Sequence, residues 1–278
     1  MVSAAPPVIT ATPRVVALMP TWNAATFIEP VLESLAAQTY PNLQVLISDD
    51  ASTDRTPEIC GRFAAAQPRW RFVRHEVRRG WTGNVTALLQ QAEGDYFFFA
   101  FHDDPVRPTY VSRLVEALTA NPDAVLAFSD IELGAGTKAY VELERVHNRL
   151  ERATRMIRKK GAWWIPNRGL FKASAGKRIG GVHRHLGGEY SADWPWLLHL
   201  ALLGEFVRVP EPLVRKDWRK EGLSHSWRGT LRQKVGVSLS CMREVRRAGL
   251  PPTEEIAIHG EIVAHGLSAL WPRAREES

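Results

Sequence analysis

The 278-residue sequence predicts an α/β protein: a doubly wound, mostly parallel sheet with flanking helices, extended toward its C-terminus by further helices. Three observations predict it. Through the first half, short apolar runs alternate with helix-spaced apolar residues, the order that builds parallel strands joined by crossover helices. The run Tyr96-Phe97-Phe98-Phe99-Ala100-Phe101 is apolar at every position, as a strand covered on both faces requires, and it ends abruptly in His102-Asp103-Asp104. From Trp227 onward, amphipathic patterning broken at Pro251-Pro252 gives one or two terminal helices.

The elements follow in order. Residues 1–13, rich in Ala, Pro and Thr, lack a basic start and a long apolar core, so a flexible leader is expected rather than a signal peptide. Val15 to Met19 reads as the first strand. Phe27, Val31, Leu32 and Leu35 then share one helix face, with Pro30 in the first turn, where its missing N–H is tolerated. A second strand spans Val45 to Ser48. Thr56-Pro57-Glu58 reads as N-cap, proline at the first helical position and an acid beside the positive helix end, followed by Ile59 and Phe63 on the apolar face. Phe72-Val73 marks a third strand, and a helix from about Thr82 to Ala92 stops at Gly94. The strands Tyr96 to Phe101 and Val125 to Ser129 complete this half.

After Gly134 the pattern changes. A charged helix is expected over Glu142 to Lys160, then an aromatic and glycine-rich stretch from Trp163 to Tyr190. Leu197, Leu198, Ala201 and Leu202 mark a helix closed by Gly204, before a short strand at Phe206 to Val209. The chain therefore divides into a leader (1–13), a strand-rich half (14–133), a second half (134–226) and terminal amphipathic helices (227–278).

Charge follows this division. Residues 1–133 carry 10 basic and 15 acidic side chains, whereas residues 134–278 carry 26 and 15. The basic excess lies away from the clustered carboxylates, which fits an anionic acceptor, or the membrane carrying one, better than nucleic acid. No apolar run approaches the roughly 20 residues of a membrane span. Cys60 and Cys241 form no disulfide framework or cysteine zinc site, so a cytoplasmic protein is expected, peripheral at the inner membrane face.

Four segments fall at carboxyl ends of successive strands or at helix starts, where an open α/β sheet gathers a ligand crevice. They are Pro20-Thr21-Trp22-Asn23, Ser48 to Asp54 with Asp49-Asp50, Gly80 to Asn84, and Asp103-Asp104. Adjacent acids in such a crevice can hold a divalent cation against a diphosphate. They can also cap helices, Asp104 being placed to cap the one after Pro105.

With Leu32-Glu33-Ser34-Leu35, Gln38-Thr39-Tyr40-Pro41 and Gly94-Asp95-Tyr96 between them, these segments resemble the family 2 glycosyltransferases of GT-A fold, in order and spacing from Pro20 to Asp104. The resemblance implies inverting transfer of a sugar from a nucleotide-diphosphate donor, UDP by family habit, to a hydroxyl of a glycan or lipid-linked acceptor. It makes Pro20, Thr21, Trp22, Asn23, Asp50, Asn84 and Asp103 nucleotide-site candidates. Trp22 stands where relatives carry a base-stacking Tyr, and Asp50 where a carboxylate reads the base. Asn84 is open to a nucleotide or sugar contact or to a helix cap.

The family's metal motif is Asp-x-Asp, and its last acid matches Asp103. Phe101 replaces the first acid, leaving Mg²⁺ or Mn²⁺ to Asp103, with His102 or His225 as further candidate ligands. Relatives place the catalytic base at Asp193, in Gly187-Gly188-Glu189-Tyr190-Ser191-Ala192-Asp193-Trp194. Capping the helix that starts there is the competing role, with Glu189 as the reserve base. Arg215 to His225 resembles a loop closing over the diphosphate, with Arg219 and Lys220 against phosphate. Trp163, Trp164 and Trp218 are placed either to stack on sugar faces or to pack. A catalytically inert nucleotide- or glycan-binding module is the alternative. A nucleotidyltransferase is disfavoured, because no Gly- and Lys-rich phosphate loop follows the first strand.

Overall fold

A computed structural model describes residues 12–159, 161–216 and 228–270. Its sheet runs β3-β2-β1-β4-β7-β5-β6, with β8 paired to β5. The strands are β1 (Val15–Thr21), β2 (Leu43–Asp49), β3 (Trp70–Arg74), β4 (Tyr96–Phe99), β5 (Ala124–Leu133), β6 (Gly136–Lys138), β7 (Leu170–Lys172) and β8 (Glu205–Lys216). β1 pairs in parallel with β2 and β4, β2 with β3, and β5 with β8; β7 lies antiparallel between β4 and β5, and β6 is antiparallel to β5. One mostly parallel sheet thus runs through both halves of the chain.

The helices are α1 (Glu29–Ala36), α2 (Thr56–Ala66), α3 (Gly80–Gln91), α4 (Tyr110–Ala120), α5 (Arg149–Ile157), α6 (Ala173–Ile179), α7 (Asp193–Leu203), α8 (Leu231–Ala248) and α9 (Pro252–Leu270). The expected strand Tyr96 to Phe101 stops two residues early, and Pro20 supplies the reason. Ala100 N–H still reaches the Leu18 carbonyl at 2.9 Å, but the next ladder bond needs an N–H that proline lacks. The chain peels away there and carries Phe101 to Asp104 into the crevice.

Other expectations shift for equally local reasons. The charged helix expected over Glu142 to Lys160 shortens to α5, because Asn148 caps it by accepting from Glu151 N–H at 3.0 Å. Thr56 does not cap α2: Asp54 accepts from its N–H and hydroxyl, while the Thr56 hydroxyl oxygen receives Ala24 N–H at 2.7 Å. β6, β7 and α6 carry too few residues to show a period. The two terminal helices meet at Pro251, where α8 ends in Gly249 at φ +70°.

β4 is the hub of the core. Its Phe98 meets Tyr110 of α4, and Phe99 meets Phe171 of β7 and Trp196 of α7 at centroid separations of 5.3, 5.4 and 5.7 Å. This cluster fixes the start of α7 near the end of β4. α7 is held to α8 by buried His199 and Glu244, 2.9 Å apart, with Arg243 and Arg247 also on Glu244. Burial pushes the Glu244 carboxyl up, but the His199 hydrogen bond and the arginines outweigh it, so its pKa lies below the ordinary value of 4.5. Its stabilising contribution is therefore fully present above pH 4.5 and is lost as pH falls through the lower folded value. Glu244→Gln should lose stability at neutral pH and show a shallower decline below pH 4.5 than wild type; parallel denaturation midpoints from pH 7 to 3 would remove Glu244 from this account.

Candidate functional site

The crevice is built from loops that tie one another down. Asn23, held at φ +46°, donates its N–H to Ser52 Oγ at 2.9 Å, and its side-chain carbonyl accepts Thr53 N–H at 2.9 Å. Asp49 takes the Ser52 N–H and hydroxyl, and Asp54 takes Ala25 N–H. Thr21 is buried, its hydroxyl 3.4 Å from both Ser48 O and Asp49 Oδ1. Thus Thr21, Asn23, Asp49 and Asp54 fasten the Pro20–Asn23 and Ser48–Asp54 loops together.

Trp22 stands out from this framework. It is 39% exposed, with the Arg78 guanidinium stacked 3.5 Å from its ring centroid. Core packing is therefore not its role. Asp50 is buried beside it and accepts the N–H groups of Arg79 and Gly80 at 2.6 and 2.9 Å, so this acid caps the start of α3. Asp49 holds its own turn through Ser52, and Asp50 holds the start of α3. Asn84 donates from Nδ2 to Ser48 O at 2.8 Å, and its Oδ1 is buried with no partner.

Glu189, expected as the reserve base, instead meets the first turn of α3, accepting from Thr82 N–H and hydroxyl at 2.8 and 2.9 Å. Gly80 makes room for it. At φ +77° a Cβ there would lie 2.7 Å from Glu189 Oε1.

The end of β4 carries a charge cluster. Asp104 does not cap α4, which begins six residues later behind Thr109. It is buried, accepting from Arg168 Nε at 2.7 Å and Lys216 Nζ at 2.9 Å. An uncompensated buried carboxylate would be far costlier than a missing cap, so the cations take it. Arg168 also lies over Phe101 and Trp164, at 5.0 and 4.9 Å from the ring centroids. Asp103 remains a quarter exposed, 3.7 Å from Lys216 Nζ. Burial pushes its pKa up, but Lys216, His102 and Arg168 together hold it below the usual value. His102 lies 3.0 Å by Nδ1 from Pro20 O; because a carbonyl only accepts, Nδ1 is the donor and Nε2 is the nitrogen able to act as a ligand.

Asp193 is the first residue of α7, directly after Ala192, and the N–H groups of Asp193 and Trp194 act on its carboxylate. Its Oδ2 accepts from Asn167 Nδ2 at 3.3 Å, while its Oδ1 and Asn167 Oδ1 are buried without partners. Burial raises its pKa, opposed by the Lys159 and Arg168 charges. Lys159 is itself desolvated, its pKa pushed down to about 8, with its ammonium 3.4 Å from the Trp194 ring centroid and 4.6 Å from that of Trp163.

The 3-10 turn Ile165–Arg168 joins the two clusters, since Asn167 holds Asp193 while its neighbour Arg168 holds Asp104. Sequence reasoning missed Arg168, Asn167, Lys159 and Lys216 as site residues. Lys216 stood inside the segment that resembles a diphosphate loop, but the other three had no pattern to mark them. Trp163 and Trp164 are half-buried partners of these cations. Trp218, Arg219, Lys220 and His225 lie outside the described residues.

Among the described residues no three His, Cys, Asp or Glu side chains converge as a cation site. With Asp104 compensated and Phe101 apolar, the set fits a cation anchored by Asp103 and completed by ligand oxygens and water, as Mg²⁺ and Mn²⁺ allow.

Known proteins agree with this architecture. The chain is 29% identical over 115 residues to the putative glycosyltransferase EpsH of Bacillus subtilis, covering 41% of this chain and 33% of EpsH. It is 27% identical over 105 residues to glycosyltransferase GlyA of Streptococcus pneumoniae, covering 38% of this chain and 15% of GlyA. The matched segments thus span a third or less of these relatives. In fold, it is similar to S. aureus TarS 1-349 in complex with UDP-GlcNAc, with TM-score 0.73, 18% identity, and 92% and 73% of the two chains covered. It is also similar to the mannosyltransferase PcManGT from Pyrobaculum calidifontis in complex with GDP-Man and Mn²⁺, with TM-score 0.60, 20% identity, and 95% and 77% covered. The family model described as Glycosyl transferase family 2 matches residues 16–172, from β1 through β7, and the chain belongs to that family.

Proposed function

We propose that this chain is an inverting glycosyltransferase that moves a sugar from a UDP-sugar to a hydroxyl of a glycan or lipid-linked acceptor. Residues 14–133 receive the nucleotide sugar, residues 134–226 the acceptor. The observation that carries the reading is the Asn167–Arg168 turn, which sets an unpartnered Asp193 oxygen across from the charged end of β4.

In this reading Trp22 stacks on the base, and Pro20, Thr21 and Asn23 shape the loop that presents it. Asp50 accepts a base N–H through a second lone pair. Asn84 Oδ1 accepts from a ribose or sugar hydroxyl. Asp193 takes the acceptor hydroxyl's proton as the oxygen attacks the anomeric carbon, and Asn167 orients its carboxylate. Arg168 and Lys216, with Arg219 and Lys220, face the departing diphosphate. A divalent cation, Mg²⁺ or Mn²⁺, would be held by Asp103, with His102 or His225 as further ligands, and would neutralise charge on that leaving group. Among the described residues no helix is long and apolar enough to cross a membrane. The basic second half supports peripheral contact with an anionic membrane from the cytoplasmic side.

Titration calorimetry with UDP tests the nucleotide site. Mn²⁺ should tighten binding in wild type, and Asp103→Ala should remove that enhancement. Trp22→Ala should cost about 1–3 kcal/mol of UDP affinity, the range for one base on one ring. UDP affinity indifferent to Mn²⁺ and to Trp22, without donor hydrolysis, would leave an inert module as the better reading.

A further inference from the structure

A second pocket, of about 290 Å³, opens between α8, α9 and the start of α7. Trp194, Val237, Met242 and Ile262 form much of its inner wall and are buried or half-buried. Its rim is Val235 and Leu239 of α8 with Val263 and Leu267 of α9, each pair four residues apart and each side chain at least 38% exposed. An apolar rim of this kind, kept in contact with water, marks a binding surface rather than a core.

The polar side chains of the described lining are Lys159, Lys234, His265, Ser238 and Tyr190, with no carboxylate among them. Lys159 reaches the pocket from beneath Trp194, the residue after Asp193, and is the foremost cation acting on that acid. The cavity is therefore apolar along its length and cationic at the end nearest the candidate base.

We propose that this pocket binds the hydrocarbon chain of a lipid phosphate, with the phosphate at Lys159 and Lys234. This rests on the transferase reading and names its acceptor class: a sugar carried on a lipid phosphate, its tail between α8 and α9 and its hydroxyl at Asp193. A hydrocarbon chain suits these walls because it brings no polar groups to satisfy, whereas a peptide would bury backbone N–H and C=O without partners. The phosphate complements an ammonium held in apolar surroundings, where attraction is weakly screened. The excess of basic over acidic side chains in residues 134–278, 26 against 15, favours an anionic lipid for this half of the chain.

The test uses the full chain and farnesyl phosphate, with tryptophan fluorescence as readout. Farnesyl phosphate should bind at least tenfold tighter than farnesol or inorganic phosphate. Gly266→Leu should fill the pocket and weaken binding at least tenfold while leaving UDP affinity unchanged. Its Cβ meets nothing closer than Ser238 Oγ at 3.5 Å, and leucine favours the helix. If that variant does not fold, Leu239→Asp places a repelling charge on the exposed rim and should weaken binding likewise. Equal affinity for the three probes, or affinity unmoved by either substitution, overturns the proposal. So does a dimer in sedimentation that Leu239→Asp dissociates without changing lipid binding, which assigns the rim to a second copy. Absent UDP binding in wild type would instead sink the transferase reading, because the lipid phosphate is titrated without donor.

Discussion

Asp193→Asn should lower sugar transfer by roughly 10²–10⁴-fold, the range a positioned general base contributes, while leaving UDP affinity nearly unchanged. The amide is nearly isosteric and keeps the Asn167 contact, so positioning survives while proton acceptance is lost. The pH profile provides an independent reading. Burial is the largest influence on Asp193 and raises its pKa above the ordinary 3.8, with Lys159 and Arg168 pulling the other way. A base acts when ionised, so activity should rise with pH along an acid limb whose midpoint lies above 3.8. The N–H groups of Asp193 and Trp194 also pull it down, as at a helix start, but burial outweighs them and leaves the carboxylate a stronger base than an exposed helix-capping aspartate. Loss of transfer and of UDP binding in equal measure would make Asp193 a structural residue. An acid limb that persists in the Asn variant would place the base elsewhere.

Asp104→Ala should destabilise the fold by about 3–5 kcal/mol, because it leaves two largely buried cations facing each other without their shared anion. The lower end is expected, since Asp103 lies 3.7 Å from Lys216 and Arg168 keeps its contacts with Phe101 and Trp164. For a domain of this size that corresponds to a Tm lower by roughly 6–12 °C. Transfer should also fall, because Arg168 loses its ion pair with Asp104 and shares one turn with Asn167, which holds Asp193. Asp104→Asn, which still accepts hydrogen bonds, should cost less than the alanine variant. A Tm for Asp104→Ala within about 2 °C of wild type, under 1 kcal/mol, would show that Asp104 does not organise the end of β4.

The order and type of the early strands were legible in the sequence because each is short, apolar and followed by a helix-spaced face. That local pattern is also what a strand needs when helices cover it, so periodicity and burial agree in β1, β2 and β4, whereas the edge strand β3, with Arg71 and Arg74, has no buried residue. Pro20 is instructive: its residue type was plain, yet its effect, ending the β4 ladder two residues early, depends on which strand lies beside it. Asp50 and Asp104 show the same limit. Both were candidates for ligand, cap or metal from sequence, and each role was decided by groups far along the chain: the amides of Arg79 and Gly80 for one, Arg168 and Lys216 for the other.

By itself, then, the sequence determined the strands β1 to β5, the glycosyltransferase family and the acids at strand ends, because short-range patterning and motif order are written in neighbouring residues. β7, which joins β4 to β5, left no such pattern. The tertiary structure decided which acids are compensated and which are not. It packed Trp196 onto Phe99 and Phe171 to bring α7 to the end of β4, and it placed a four-residue turn between Asp193 and Asp104. Burial and the approach of distant charges set those properties, and neither leaves a period in the chain.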